Sequence, residues 1–491
     1  MIHRIHRAQD LDPAVIVDVA RAAGTLELAP ELLTELAASR AATLADLDGE
    51  TPVYGVNTGM GAFSSVRLDP AAQAHHQNTL MAGRAVGSAP WLRRDQARAL
   101  LAARLRTFLD PAAGVSPALC VFLAELLNAG VVPAVPARGS GAAGEIIPLA
   151  HAGAALNGTG QVLDESGAAT DAAPVMRAAG LPPRPFEAKE GVAFIEGVPG
   201  LTGLAVLAAA AVRTLLAQNV LVSAAAQAVV RASRDPLHPA LGRGDDELAA
   251  VLAAMREVRG DGPVRALQAP VSFRVTAPAL AVAMRAAGAL DAAAGRALSM
   301  ITDSPAHVDG AFVGTAGYAG TDLAVACGTL TTALTHLADL SVSRLHRLLD
   351  DNVTGLPRQL SDAPGRHVGM GTVHKRAAGV AHRLRRFAVP AVIGSMETSL
   401  GQEDVQSFGF EAAECLAEAI EGLRDVLACE LLAVHQAVLL GGVPPGLGDR
   451  AAEALGAVAA VLPEGTGDRP FGRDVSTLIG LLTSGWGLIA L

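Results

Sequence analysis

Arg138-Gly139-Ser140-Gly141-Ala142-Ala143-Gly144-Glu145-Ile146-Ile147-Pro148-Leu149-Ala150-His151 is the stretch from which the rest of the chain is read. Gly139, Gly141 and Gly144 open backbone conformations closed to other residues and let chain segments approach closely. Pro148 disfavours helical geometry at Ile147 and favours a helix beginning just beyond it. The pattern predicts a tight, buried loop running into a helix. It is not a phosphate cradle, because the Lys-Ser/Thr of a phosphate loop is missing and no clear strand precedes it.

Outward from this loop, the 491 residues are rich in alanine and leucine, only 3% aromatic, and without concentrated alternating runs. Such a mixture favours helix, so the expected class is mainly α. A net charge of -10 argues against a general nucleic-acid binder, which needs a basic face to neutralise phosphates. Cys120, Cys327, Cys415 and Cys429 lie far apart with no CxxC pair, and read as buried small hydrophobes rather than metal ligands. Alanine-rich runs are broken by Arg, Gln or Asp before about 18 residues, and Met1-Ile2-His3-Arg4 opens no signal-peptide segment. No membrane partner and a cytoplasmic location are expected.

Thr51 to Gly61 carries Gly55, Gly59 and Gly61 and reads as a loop presenting Tyr54 and Asn57. Asp12-Pro13 and Ala29-Pro30-Glu31 read as helix starts, Asn128-Ala129-Gly130 as a helix end, and Gly158 onward as a short hairpin. From Leu201 to about Met300 apolar residues recur at helical spacing.

Several of these stretches resemble the aromatic amino acid ammonia-lyase and aminomutase family, in motif order from about residue 50 to 410. Tyr54-Gly55-Val56-Asn57-Thr58-Gly59-Met60-Gly61 matches the family's Tyr-Gly-Val-Asn-Thr-Gly-x-Gly, whose tyrosine removes the substrate's β-proton. Gly141-Ala142-Ala143-Gly144-Glu145-Ile146-Ile147-Pro148-Leu149 stands for Gly-Ala-Ser-Gly-Asp-Leu-x-Pro-Leu, in which Ala-Ser-Gly condenses to the electrophile methylidene-imidazolone. Its methylidene comes from dehydration of the serine. The Ala143 methyl has no hydroxyl to lose, so the degenerate loop Ala142, Ala143, Gly144 is expected to carry no such group, and no cofactor is expected.

The same resemblance assigns further residues. Ala82 and Gly83 fall where a residue selecting the aromatic ring usually stands, leaving a small pocket wall. Arg84 beside them is either a new anion contact or a solvated or ion-paired arginine. Glu196 replaces an asparagine and is either an acid or base with a raised pKa or a structural ion pair. Gln268, Ser272 and Arg274 match a segment whose arginine holds the substrate carboxylate, a role suited to a planar fork, although Ala269 and Val271 replace its aspartate and second tyrosine. Tyr318 takes an aromatic position, and Gln402 and Glu403 match pocket residues. The chain has only two tyrosines, Tyr54 and Tyr318, and both fall on such positions.

The resemblance implies a mainly α, ammonia-lyase-like fold: residues 1–200 carry Gly-rich active-site loops, and 201–491 form a central long-helix bundle and C-terminal helices. It also implies a homotetramer whose sites draw on three subunits. For activity, the first expectation is an enzyme independent of the prosthetic group, performing elimination, isomerisation or cyclisation on a small carboxylate-bearing metabolite. Tyr54 would be its base, Arg274 the carboxylate anchor, and Glu196 or Glu403 the proton donor. The alternatives are a non-catalytic homologue that binds or assembles, and a conventional histidine or phenylalanine lyase, which the missing serine disfavours.

Overall fold

Helix starts lie where capping chemistry puts them. Asp12 accepts the Val15 N–H at the start of α1 (Pro13–Ala20), Asp69 that of Ala72 at the start of α3 (Pro70–Arg84), and Ser116 that of Leu119 at the start of α5 (Pro117–Ala129), each followed by a proline in the first turn. The computed structural model describes residues 1–47 and 51–487. The chain divides into two compact units: Met1–Ala208 with Leu290–Cys327 and Pro390–Glu414, and Ala209–Ala289 with Gly328–Val389 and Cys415–Leu491.

In the first unit β1 (Ile2–Ile5) pairs in parallel with β2 (Thr25–Leu28) around α1, and α2 (Pro30–Leu47) follows. Next come α3 (Pro70–Arg84), α4 (Arg94–Phe108) and α5 (Pro117–Ala129), the last closed by Gly130 in the left-handed region. A small antiparallel sheet orders β3 (Val132–Pro133), β4 (Gln161–Leu163) and β5 (Ala169–Asp171), with α6 (Ile146–Leu156) between β3 and β4. After α7 (Ala172–Ala178) and α8 (Glu190–Ile195) begins α9 (Pro199–Val229).

The chain continues with α10 (Asp246–Arg259), α11 (Val271–Arg274), α12 (Thr276–Ser299), α13 (Thr321–Leu348), α14 (Asp351–Thr354), α15 (Gly371–Leu384), α16 (Gly409–Gly441), α17 (Asp449–Val461) and α18 (Phe471–Thr483). In the second unit Leu330, Leu334, Leu337, Leu345 and Leu348 of α13 are fully buried at helical spacing. The buried Arg344 guanidinium donates to Glu430 at 2.7 and 2.8 Å, and the Ser341 hydroxyl donates to the same carboxylate. A fully buried, doubly bonded pair of this kind fixes helix register.

Three expectations are corrected. Helix α6 begins at Ile146, before Pro148, because a proline in the first helical turn lacks only an N–H that has no helical partner there. The central loop is not buried: Arg138, Gly139 and Gly141 are exposed and only Glu145 is fully enclosed. Three helical stretches, Glu190–Val229, Thr276–Ser299 and Gly317–Leu348, are long and apolar enough to cross a membrane by length and composition. The apolar window of the first is 89% buried within the protein, which gives its composition a use in the core.

Candidate active site

The Tyr54 loop is shaped by its own polar groups. Gly55 takes φ +67°, and a Cβ there would stand 2.7 Å from Val192 Cγ2, so only glycine fits. Asn57 is buried, accepting from Val53 N–H at 2.7 Å and Arg67 at 3.0 Å and donating to the Thr51 carbonyl at 2.9 Å. Its amide therefore holds the loop. Gln77 of α3 donates to the Gly55 carbonyl and accepts the Val192 N–H, both at 3.0 Å, tying the loop to α8.

Tyr54 borders a cavity of about 800 Å³, walled by Met60, Phe63, Val66 and Leu68 and by Gly83, Arg84, Ala142, Ser399 and Glu403. The Tyr54 oxygen accepts the Gly61 N–H at 2.8 Å. Burial raises its pKa, and the Glu196 and Glu403 carboxylates add to this, while the Gly61 N–H and Arg84 work in the opposite direction. An ordinary tyrosine is only about 0.1% phenolate at neutral pH, and this one is less. Glu403 accepts the Ala143 N–H at 2.8 Å and the Ser399 hydroxyl at 2.8 Å, so a carboxylate is fixed directly against the degenerate loop.

Ala142 also lines a second space, a gap of about 10 Å³ bounded by Tyr318, Ser140, Gly144 and Glu145. Glu145 accepts the N–H groups of Gly200 and Leu201, each at 2.6 Å, and so closes the start of α9. Burial pushes its carboxyl up to about 7, against those two hydrogen bonds and Arg104. Glu196, at the end of α8, is buried as well. Desolvation first and Asp303 second push it up to about 8, opposed by Arg104, whose guanidinium donates to the Glu196 carbonyl. Glu196 forms no ion pair among the described residues and does not line the Tyr54 cavity.

The structure thus gathers Tyr54, Gly83, Arg84, Ala142 and Glu403 at one cavity, places Tyr318 and Gly144 at a second, smaller space that Ala142 also lines, and gives Ala143 to Glu403. Ala82 and Gln402 are exposed. Gln268 and Arg274 belong to the second unit; Gln268 is exposed, and Arg274 donates through Nε to the Ala269 carbonyl at 2.9 Å. Sequence reading missed His76 and Ser399 as lining residues. His76 was signalled by its place two turns before Arg84 on α3, whereas nothing marked Ser399. Among the described residues no three His, Cys, Asp or Glu side chains are grouped to hold a metal.

With this arrangement in view, a family model described as aromatic amino acid lyase matches residues 11–460. This chain belongs to the aromatic amino acid lyase family. Histidine ammonia-lyase of Gloeobacter violaceus is 33% identical over 487 residues, covering 96% of this chain and 94% of that protein. Its counterpart in Streptomyces coelicolor is 32% identical over 488 residues, with the same coverage. Among solved structures, tyrosine aminomutase from Streptomyces globisporus superposes with a TM-score of 0.92 at 27% identity, covering 96% of this chain and 95% of that one. The histidine ammonia-lyase from Trypanosoma cruzi gives 0.90 at 25% identity, covering 99% and 94%. The chain is therefore a lyase-family enzyme with the ammonia-lyase fold. The names of these relatives run against the expectation that a conventional aromatic amino acid lyase is disfavoured.

Proposed function

We propose that the chain catalyses elimination of an amine from an amino-acid-type carboxylate, the reaction its relatives' names describe, and that the Tyr54 cavity is where it does so. The observation that carries this is the meeting of a phenol, a guanidinium and a carboxylate around about 800 Å³ of space with an apolar wall. In this reading Tyr54 takes the β-proton and Glu403, which borders the same cavity, is the proton donor, with Arg274 as the resemblance's candidate for the carboxylate.

The family's prosthetic group is made from the residues of the loop at Ala142, Ala143 and Gly144. Ala143 offers a methyl where a hydroxyl must be lost as water, and its N–H is committed to Glu403. The residues do not fit the group, and the proposed reaction proceeds without it. Proton transfer by positioned side chains supplies roughly 10²- to 10⁴-fold each, so the chemistry suits a substrate whose β-hydrogen is already acidified, and isomerisation or cyclisation fits the same groups.

A second reading has its own support: identity to histidine ammonia-lyases over nearly the whole chain favours conventional deamination of free histidine. One experiment separates the two. The intact mass of the purified chain is measured beside turnover of free histidine and of 4-nitrophenylalanine, whose nitro group acidifies the β-hydrogen. An unmodified mass, turnover of the nitro compound and its loss in Tyr54→Phe support the first reading. Loss of two waters from the chain with rapid histidine deamination supports the second. No turnover of either compound sinks the proposal.

A homotetramer is proposed alongside, supported by Val271, Val275 and Val282, which are exposed on α11, on α12 and between them. Light scattering that returns a monomer mass removes this part.

A further inference from the structure

A second cluster of charged side chains lies beside the end of α8, and its residues do not line the Tyr54 cavity. Arg104 of α4 is fully enclosed, and Thr302 and Asp303, which follow α12, are 2% and 6% exposed. All three belong to the first unit, so the cluster is enclosed within one chain whatever subunits stand around it. The Arg104 guanidinium donates through Nη2 to the Glu196 carbonyl, and Asp303 accepts from Lys189 through Oδ2. That leaves Arg104 Nε and Nη1, Thr302 Oγ1 and Asp303 Oδ1 buried without a hydrogen-bond partner among the described residues. Such atoms are costly unless something meets them. The three residues line one gap of about 10 Å³, with Phe108 and Ala113 among its other walls. Thr107 and Asp110, also on its wall, hydrogen-bond close by, to the Arg104 carbonyl and the Ala112 N–H, both at 2.9 Å.

The chemistry of these atoms selects what the gap can hold. Two guanidinium N–H groups carry positive charge and offer no lone pair, so they turn away a metal ion. A carboxylate oxygen turns away a halide. A neutral molecule that accepts from Arg104 while donating to Asp303 meets both demands, and a hydroxyl such as Thr302 can do either. At about 10 Å³ with several polar partners, one water is the molecule of the right size. We propose that a single resident water binds in this gap, accepting from the Arg104 guanidinium, donating to Asp303 and sharing a hydrogen bond with the Thr302 hydroxyl. It ties α4 to the chain after α12. Burial pushes the Arg104 guanidinium down to about 10, and Asp303 is foremost among the groups that hold it up. A water between the two lets both stay charged while Nη2 remains on the Glu196 carbonyl. The site stands whichever reaction the Tyr54 cavity performs.

The test is crystallographic and uses the full chain, with crystals kept in sodium chloride and in sodium bromide and diffracting well enough to show ordered water. The expected result is one water-sized peak within hydrogen-bond distance of both Arg104 and Asp303, unchanged between the two salts and without anomalous signal at the bromine edge. An anomalous bromide peak in the gap overturns the proposal, as does a gap without density. Two variants then weigh the hydroxyl. Thr302→Val keeps the side-chain shape but offers a methyl, so the peak weakens or is lost and the thermal midpoint falls by about 1–4 °C. Thr302→Ser keeps the peak. A water at full strength in Thr302→Val, with an unmoved midpoint, overturns the share given to Thr302. If the valine variant does not fold, the parent and serine crystals still decide the matter. None of these readings involves turnover, so their failure is distinguishable from failure of the proposed reaction.

Discussion

Ala142 has two sides, and they differ by nearly two orders of magnitude in open space. Toward Tyr54 lies a cavity of about 800 Å³; toward Tyr318 lies a gap of about 10 Å³. The smaller space admits about one water. Of these two spaces, the one bordered by Tyr54 has room for more than a water, and the proposed function places the ligand there. Glutamates divide in the same way. Glu403 faces the open cavity with its oxygens on Ala143 and Ser399, while Glu145 is enclosed and closes the start of α9.

The largest expected effect tests that division directly. Tyr54→Phe lowers turnover by roughly 10²- to 10⁴-fold, while Tyr318→Phe leaves it near the parent rate, as read by steady-state kinetics on 4-nitrophenylalanine. Equal losses in the two variants would break the contrast. Next in size is Glu145→Ala, which strands the Gly200 and Leu201 N–H groups and costs roughly 1–3 kcal/mol in urea unfolding, with turnover affected only through stability. A fall in turnover without a fall in stability would move Glu145 to the reacting side.

A pH series sharpens the comparison further. Glu145 and Glu196 hold their protons more tightly in the folded chain, at about 7 and about 8 against an ordinary 4.5. Their contribution to stability is whole below pH 4.5 and is lost as pH rises through 7 and then 8. Thermal melts should therefore fall in midpoint across that window, and Glu196→Gln should flatten the upper part of the decline. A decline as steep in Glu196→Gln as in the parent contradicts this role for Glu196. The smallest effect belongs to Gly83→Ala: a Cβ there meets nothing within 4 Å, so stability should change by no more than about 1 kcal/mol, toward gain, since alanine favours helix.

Legibility in the sequence followed the range of the interactions. The helix start at Asp12 and the end at Gly130 rest on neighbours within a few residues, and the residues alone give them. The Tyr54 loop was equally plain. The early helix start at Ile146 was harder, because Pro148 is compatible with a helix on either side of Ile147 once it stands in the first turn. The meeting of Glu403 with Ala143 was invisible, since the two lie 260 residues apart along the chain. Asn57 shows the opposite case: a residue that looks chemical in the sequence is used up by its own loop, through Val53, Arg67 and Thr51.

By itself the sequence determined the helical class, the two glycine-rich loops and the absence of a hydroxyl at Ala143, because composition, turn chemistry and atom content are local properties. Only the tertiary structure decided which charges share a cavity. Arg84 was an ambiguous cation until packing set it beside Tyr54 in one cavity, and Glu196 an ambiguous acid until burial showed what raises its pKa. Desolvation and the pairing of charges depend on what lies within a few ångströms in space, and the order of residues along the chain does not specify that on its own.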